Sequence, residues 1–231
     1  MSKLLGEGAL LVWLNIDEKM QNEVDRWYVD EHFPERITEV GYLRARRYQR
    51  ISGGPAYMSL MEARTPAALL SEGYRRAAAN ATERTRAMRG AFLGGSMRST
   101  HRVAASHSRA SGGIVVCTHL RFEAQAERDA FAAWARRDLA QWMQAQPDVL
   151  AAHALVLARE VREEMDRLRT AGQQDEWADG VLLLEIGRAS DLQLDLRTVL
   201  SVEAFADAGV NVDAVSSWVY QLMFGISADQ V

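Results

Sequence analysis

Apolar residues along this chain fall into short blocks separated by polar, glycine- or proline-containing stretches. Gly8–Ile16, GALLVWLNI, is a first block bounded by turn-compatible residues, and it predicts a buried strand. Asp17 follows as a helix cap, and Met20, Val24, Trp27 and Glu31 then keep helical spacing, with Tyr28 and His32 on an adjoining stripe. Pro34 is expected to end that helix, because the residue before a proline disfavours helical backbone. Tyr42–Arg50 and Tyr57–Ala63 read as strands around the turn Ser52-Gly53-Gly54-Pro55. Thr65-Pro66 starts a helix through Leu69, Leu70, Ala77, Ala78 and Met88. Gly94-Gly95 is expected to break that helix before a fourth strand, Met97–Val103.

Ala104–Gly113, AASHSRASGG, is small and polar and reads as a linker. The order then recurs: strand Ile114–Phe122, helix Gln125–Met143 followed by Pro147, and strands Val149–Leu157 and Val181–Gly187. A weaker helix within Asp191–Phe205 and a last strand, Ser216–Phe224, complete it. Val161, Met165 and Leu168 predict an inserted charged helix within Arg159–Glu176. The order β-α-β-β-α-β, twice, predicts an α+β protein of two tandem units, residues 1–105 and 113–231.

In such a unit both helices cover one face of the sheet, and the other face needs its own cover. Leu10–Leu14, Ile114–Val116, Val181–Leu184 and Trp218–Phe224 are rich in apolar residues on both faces, so both faces must be buried. The two antiparallel sheets are therefore expected to pack face to face within one chain, as a barrel. Each half pairing with half of a second copy, in a homodimer, is the competing arrangement.

Trp27-Tyr28-Val29-Asp30-Glu31-His32-Phe33-Pro34-Glu35-Arg36 is the most distinctive stretch. It resembles the W-x-x-x-E-H-x-P-x-R pattern of the dimeric α/β-barrel superfamily, particularly its EthD group. Residues 8–104 match that family's element order and motif. Residues 113–226 match the order alone, with Trp134-Ala135-Arg136-Arg137-Asp138 where the Glu-His pair would fall. The resemblance implies ferredoxin-like units, the second one degenerate. The superfamily hosts monooxygenases, isomerases, cyclases, decarboxylases, haem-active enzymes and proteins with no assigned activity, so the fold alone does not specify the chemistry.

Composition narrows the function classes. The chain has 231 residues, 48% hydrophobic and 25% charged, which is ordinary for a globular protein. A formal net charge of -4 offers no overall basic field for nucleic acid or an anionic membrane. Cys117 stands alone, so neither an intrachain disulfide framework nor a cysteine-rich zinc site is expected. No secretory signal or membrane-spanning run is evident, and a cytoplasmic location is expected. No phosphate-loop, dinucleotide, G-x-S-x-G or catalytic-cysteine motif occurs.

Three residues are candidates for catalysis: His32 as general acid or base, with Tyr28 and Glu31 in support. A helix C-terminus at His32 would favour its protonated form. Helix-end bonding of His32 and a Glu31–Arg36 pair form the competing structural account. Trp13, Trp27, Tyr48, Tyr57, His101, His119 and Arg36 are candidates for lining a substrate pocket, although packing also accounts for Trp13 and Trp27. His32, His101 and His119 match no metal spacing, so no metal and no cofactor is expected. Arg44, Arg46, Arg47 and Arg50, and the helix arginines Arg75, Arg76, Arg84, Arg86 and Arg89, read as solvated faces and sheet-edge protection. The expected function is a small cofactor-independent enzyme of EthD type that moves a proton on a hydrophobic or aromatic metabolite. The alternatives are a non-catalytic ligand-binding or assembly protein, and a haem-active or cofactor-free monooxygenase.

Overall fold

The computed structural model describes residues 3–168, 176–188 and 199–231. Eight strands close into one antiparallel barrel. They are β1 (Gly8–Ile16), β2 (Arg44–Ser52), β3 (Tyr57–Ala63), β4 (Phe92–Ser108), β5 (Ile114–Arg121), β6 (Val149–Leu157), β7 (Gly180–Ile186) and β8 (Ala214–Ser227). Around the barrel the order is β1-β3-β2-β8-β5-β7-β6-β4. The run β4-β1-β3-β2 thus recurs as β8-β5-β7-β6, the order of a split βαβ sheet. The seams between the runs are β2 with β8 and β4 with β6. Both lie within the chain, so the barrel needs no second copy to close.

The reason is the two-sided apolarity of the strands. On β1, Ala9, Leu11 and Trp13 turn into the barrel, where they meet Tyr48, Met58, Leu60, Val115, Cys117, Leu155, Leu183 and Tyr220. The alternate residues Leu10, Leu14 and Ile16 face helices on the outside. A second outer layer packs Phe131, Trp134 and Leu139 against Val116, Leu182 and Leu184. Each fully buried side chain of this size contributes roughly 1.5–3 kcal/mol, so an open sheet would forfeit many such terms.

Seven α-helices cover the barrel among the described residues: α1 (Gln21–Trp27), α2 (Phe33–Thr38), α3 (Glu72–Ala79), α4 (Glu83–Gly90), α5 (Gln125–Gln144), α6 (Arg159–Arg167) and α7 (Val202–Asp207). Several expectations shift. The helix expected from Thr65 to Met88 is a 3-10 turn, Ala67–Leu70, then α3 and α4. Ser71 and Thr82 cap the two helices and divide the run. Gly94 and Gly95 lie within β4 instead of ahead of it. Ala104–Ser108 is strand and no linker, because β6 needs a partner there: Ser106 pairs with His153 and Ser108 with Ala151. The charged insert forms α6; residues 169–175 of that expected helix lie outside the described residues, as do residues 191–198 of the weaker helix. The Gly53-Gly54 turn forms as expected with φ of 68° and 64°, which only glycine adopts without strain.

Of the β2 arginines Arg50 is exposed as expected, but Arg44, Arg46 and Arg47 do not form an exposed edge. A closed barrel has no edge there, and alternation sends Arg44 and Arg46 inward and Arg47 toward the helices. Arg46 and Arg47 are buried. Inside, Arg44 Nε lies 2.7 Å from Glu62 Oε1, and Arg46 bridges Glu62 at 3.2 Å and Glu185 at 2.8 Å.

Candidate functional site

The distinctive segment is one continuous helical rod with a wide turn in its middle. α1 ends at Trp27, residues 28–32 form a π-type turn, and α2 resumes at Phe33. The Phe33 N–H donates to the Tyr28 carbonyl five residues back. Such a register shift leaves backbone groups unmatched, and Pro34, which has no N–H to place, sits in the first turn after it. Pro34 therefore does not end the helix. His32 accordingly lies at no helix C-terminus, and the expected dipole effect on it is absent.

The turn sets His32 and Trp27 face to face, with ring centroids 4.3 Å apart and planes 26° from parallel. Tyr28 meets His32 edge-on at 5.1 Å. Its contribution to His32 is a ring wall, while its other neighbour is Arg47, whose guanidinium carbon lies 3.9 Å from the Tyr28 centroid and 4.5 Å from that of Tyr57. Asp25 Oδ1 accepts from Arg47 Nε at 3.0 Å. Glu31 points to α4. It accepts hydrogen bonds from the hydroxyls of Thr82 and Thr85, and Arg84 lies 3.8 Å away. The Glu31–Arg36 pair of the competing structural account does not form, and Glu31 ties two helices together instead of facing His32. Trp27 Nε1 donates to Thr85 Oγ1 at 3.1 Å and completes that tie.

His32 is half-buried, and its Nδ1 is shielded from water with no hydrogen-bond partner. Desolvation first, and then the charges of Arg36, Arg89 and Arg47, hold its pKa well below the ordinary 6.5. At neutral pH it is an uncharged imidazole, the form a general base requires, and a weaker base than an ordinary histidine. Arg36, one turn further along, is 5% exposed. Its Nη1 lies 3.6 Å from Glu35 and makes no hydrogen bond, and its guanidinium carbon stands 5.4 Å from the Tyr74 ring centroid. Arg98 donates to the Tyr74 hydroxyl at 3.1 Å.

The structure thus brings His32, Trp27, Tyr28 and Arg36 together, with Tyr57 joined through Arg47. It places Trp13, Tyr48, His101 and His119 on the opposite, inner side of the sheet. There His119 packs between Trp13 at 4.5 Å and Trp218 at 4.0 Å, and His101 Nε2 lies 3.3 Å from the Ala178 carbonyl. Burial, with the nearby His101, pushes His119 down to about 3, and burial pushes His101 to about 4. A strand's two-residue period separates these four from His32, so the three histidines cannot share one metal or one haem iron. Among the described residues, no three His, Cys, Asp or Glu side chains are grouped to hold a metal. Asp25, Arg47, Tyr74, Thr85 and Arg89 enter the site unforeseen. The four-residue spacing of Thr85 and Arg89 was a readable sign of a shared helix face.

Two clefts lie in the C-terminal half, and neither is lined by His32. One of about 390 Å³ is polar, with Arg121, Arg128, Arg159, Trp177, Asp179 and Asp213 around it. The other, about 170 Å³, lies between helices and sheet and is walled by Trp134, Trp142, Leu182, Leu200 and Phe205. No helix among the described residues is long and apolar enough to cross a membrane.

No protein-family model matches this chain, and no curated protein does. Solved structures do. An anthrone oxidase-like protein superposes with a TM-score of 0.63 at 14% identity, covering 99% of this chain and 94% of its own. A candidate monooxygenase from Lactobacillus acidophilus NCFM gives 0.59 at 9% identity, over 96% and 97%. A chlorite dismutase variant from Candidatus Nitrospira defluvii gives 0.52 at 11%, over 94% and 91%. At such identities the likeness is one of architecture, and this chain has the ferredoxin-like α+β barrel fold that those proteins share.

Proposed function

We propose that the protein is a small enzyme that removes a proton from a hydrophobic, aromatic metabolite bound between the helices and the sheet of the N-terminal half, with His32 as general base. The observation that carries this reading is the His32 ring itself: stacked on Trp27, kept neutral by its surroundings, with an unpartnered Nδ1. Arg36 and Arg89 stand where negative charge develops as the proton leaves, and fixed charges there lower the barrier. The EthD-like segment supports the same assignment. Tyr28 and Trp27 supply the walls that hold the ring, and Glu31 acts by fixing α4 to the wide turn. Residues 1–105 would carry the chemistry and residues 113–231 chiefly the other half of the barrel.

The carbanion left by proton removal has two fates. Return of the proton at another carbon gives an isomerase. Capture of the carbanion by dioxygen gives an oxygenase, the outcome that the names of the anthrone oxidase-like protein and the candidate monooxygenase favour. Anthrone is a suitable probe, since its acidic methylene can exchange with solvent deuterium or react with one dioxygen to give anthraquinone and one water. Deuterium incorporation measured without oxygen isolates the proton step. His32→Ala should slow it by roughly 100-fold or more, the usual weight of a general base, with thermal unfolding nearly unchanged. Exchange at the wild-type rate in a folded His32→Ala protein would remove His32 from the mechanism and favour a binding or assembly role.

A further inference from the structure

We infer that the helix-lined face beside His32 is built for a carboxylate-bearing aromatic ligand, an assignment that rests on the reading of that face as the substrate site. Two helical spacings converge there. His32 and Arg36 are four residues apart along the rod, and Thr85 and Arg89 four apart along α4, so each pair shares a face. The Trp27–Thr85 hydrogen bond sets the two faces in register, which brings Arg89 on one helix toward His32 and Arg36 on the other. Arg89 is exposed and stands at the rim, whereas Arg36 lies at the base, 5% exposed with an unbonded Nη1. A buried guanidinium nitrogen without a hydrogen-bond acceptor is costly, and the Glu35 carboxylate, 3.6 Å away, is too far to serve as one.

The charge balance selects the kind of anion. Arg36 and Arg89 bring two positive charges, and both feel Glu35, which lies 3.6 Å from Arg36. Arg47 is already matched by Asp25, Glu31 is held by α4, and Arg98 has partners of its own. One positive charge is left over, which suits a singly charged planar carboxylate better than a phosphate dianion. Guanidinium forks match the two oxygens of a carboxylate in geometry as well as charge. The half-buried rings of His32 and Phe92, backed by the buried Trp27, offer an aromatic body its contact surface.

Calorimetric titration tests this without any turnover, with 2-naphthoate as the probe, its neutral isostere 2-naphthamide, and inorganic phosphate. The expected result is binding of 2-naphthoate, little or none of the amide, and no competition by phosphate at equal concentration. Arg89→Gln, on the exposed face, should weaken 2-naphthoate about tenfold or more, and Arg36→Gln at least as much. Arg137→Gln, exposed on α5, should change nothing. Equal binding of amide and acid, phosphate competing as well as naphthoate, or full affinity in Arg89→Gln would overturn the assignment. His32→Gln separates it from the catalytic reading. Retained naphthoate binding with unaltered deuterium exchange would sink the proton role and leave the anion site standing. Exchange lost in His32→Gln, together with a wild-type protein indifferent to naphthoate, would do the reverse.

Discussion

Glu185→Gln offers the sharpest test of the charge network inside the barrel. Glu185 is 2% exposed and accepts from Arg46 at 2.8 Å and from the Gly112 N–H at 3.1 Å, with His153 Nε2 at 3.5 Å. Desolvation alone would raise its pKa. The His153 ring, the Arg46 guanidinium and the Gly112 N–H outweigh that and bring it from 4.5 to about 2. A carboxyl lowered on folding adds stability that is complete above its unfolded pKa and vanishes as pH falls through the folded one. The gap is worth about 3 kcal/mol at neutral pH, at 1.36 kcal/mol for each unit. Glutamine keeps the shape and an acceptor oxygen but not the charge. Urea unfolding of variant and wild type at pH 7, 5, 4 and 3 should therefore show a difference of about 3 kcal/mol at pH 7, shrinking steadily below pH 4.5. For a chain of this size that corresponds to roughly 6–12 °C in Tm. His101 and His119, which do not touch Glu185, act on both proteins alike and cancel from the difference. A gap under about 0.5 kcal/mol at pH 7, or one that stays constant down to pH 3, would refute the reasoning, since surface-like pairs of that worth are common.

Three further outcomes are expected. His101 and His119, lowered to about 4 and about 3, stay neutral while their unfolded counterparts protonate below 6.5, so stability should fall with acidification through that range; each contributes roughly 1.4 kcal/mol per pH unit, and His119→Gln should flatten the slope, with imidazole NMR signals that do not move between pH 8 and 5.5. Asp25→Asn strands the fully buried Arg47 and should cost about 3 kcal/mol, more than Arg47→Met, which removes the buried charge and leaves a carboxylate that water can reach; the reverse order in urea unfolding would contradict the pairing. Burial pushes the Cys117 thiol well up, so it should resist iodoacetamide at pH 8 in the native protein and react once denatured, native labelling at the denatured rate being the contrary result.

The chain's local pattern was enough to predict the class of fold. Runs such as Gly8–Ile16 and Val181–Leu184, apolar on both faces, demand two-sided burial wherever they occur, and the recurring β-α-β-β-α-β order leaves few ways to supply it. Tyr57–Ala63 and Val149–Leu157 form strands over the very residues their composition marks. His32, Trp27 and Tyr28 were legible as neighbours because helical spacing is local, whereas Arg36 lay past the helix end expected at Pro34. Tertiary structure alone decided the rest, because it depends on contacts between residues far apart in sequence. Arg46 reads as a solvated cation until barrel closure sets it between Glu62 and Glu185, 16 and 139 residues away. His32 reads as a charged helix end until the wide turn carries the helix onward and packing surrounds the ring with cations. His101 and His119 read as companions of His32 until alternation along a closed strand turns them to the barrel's other side. A charge's partner and a ring's solvent are properties of a place in space, and no spacing along the chain encodes them.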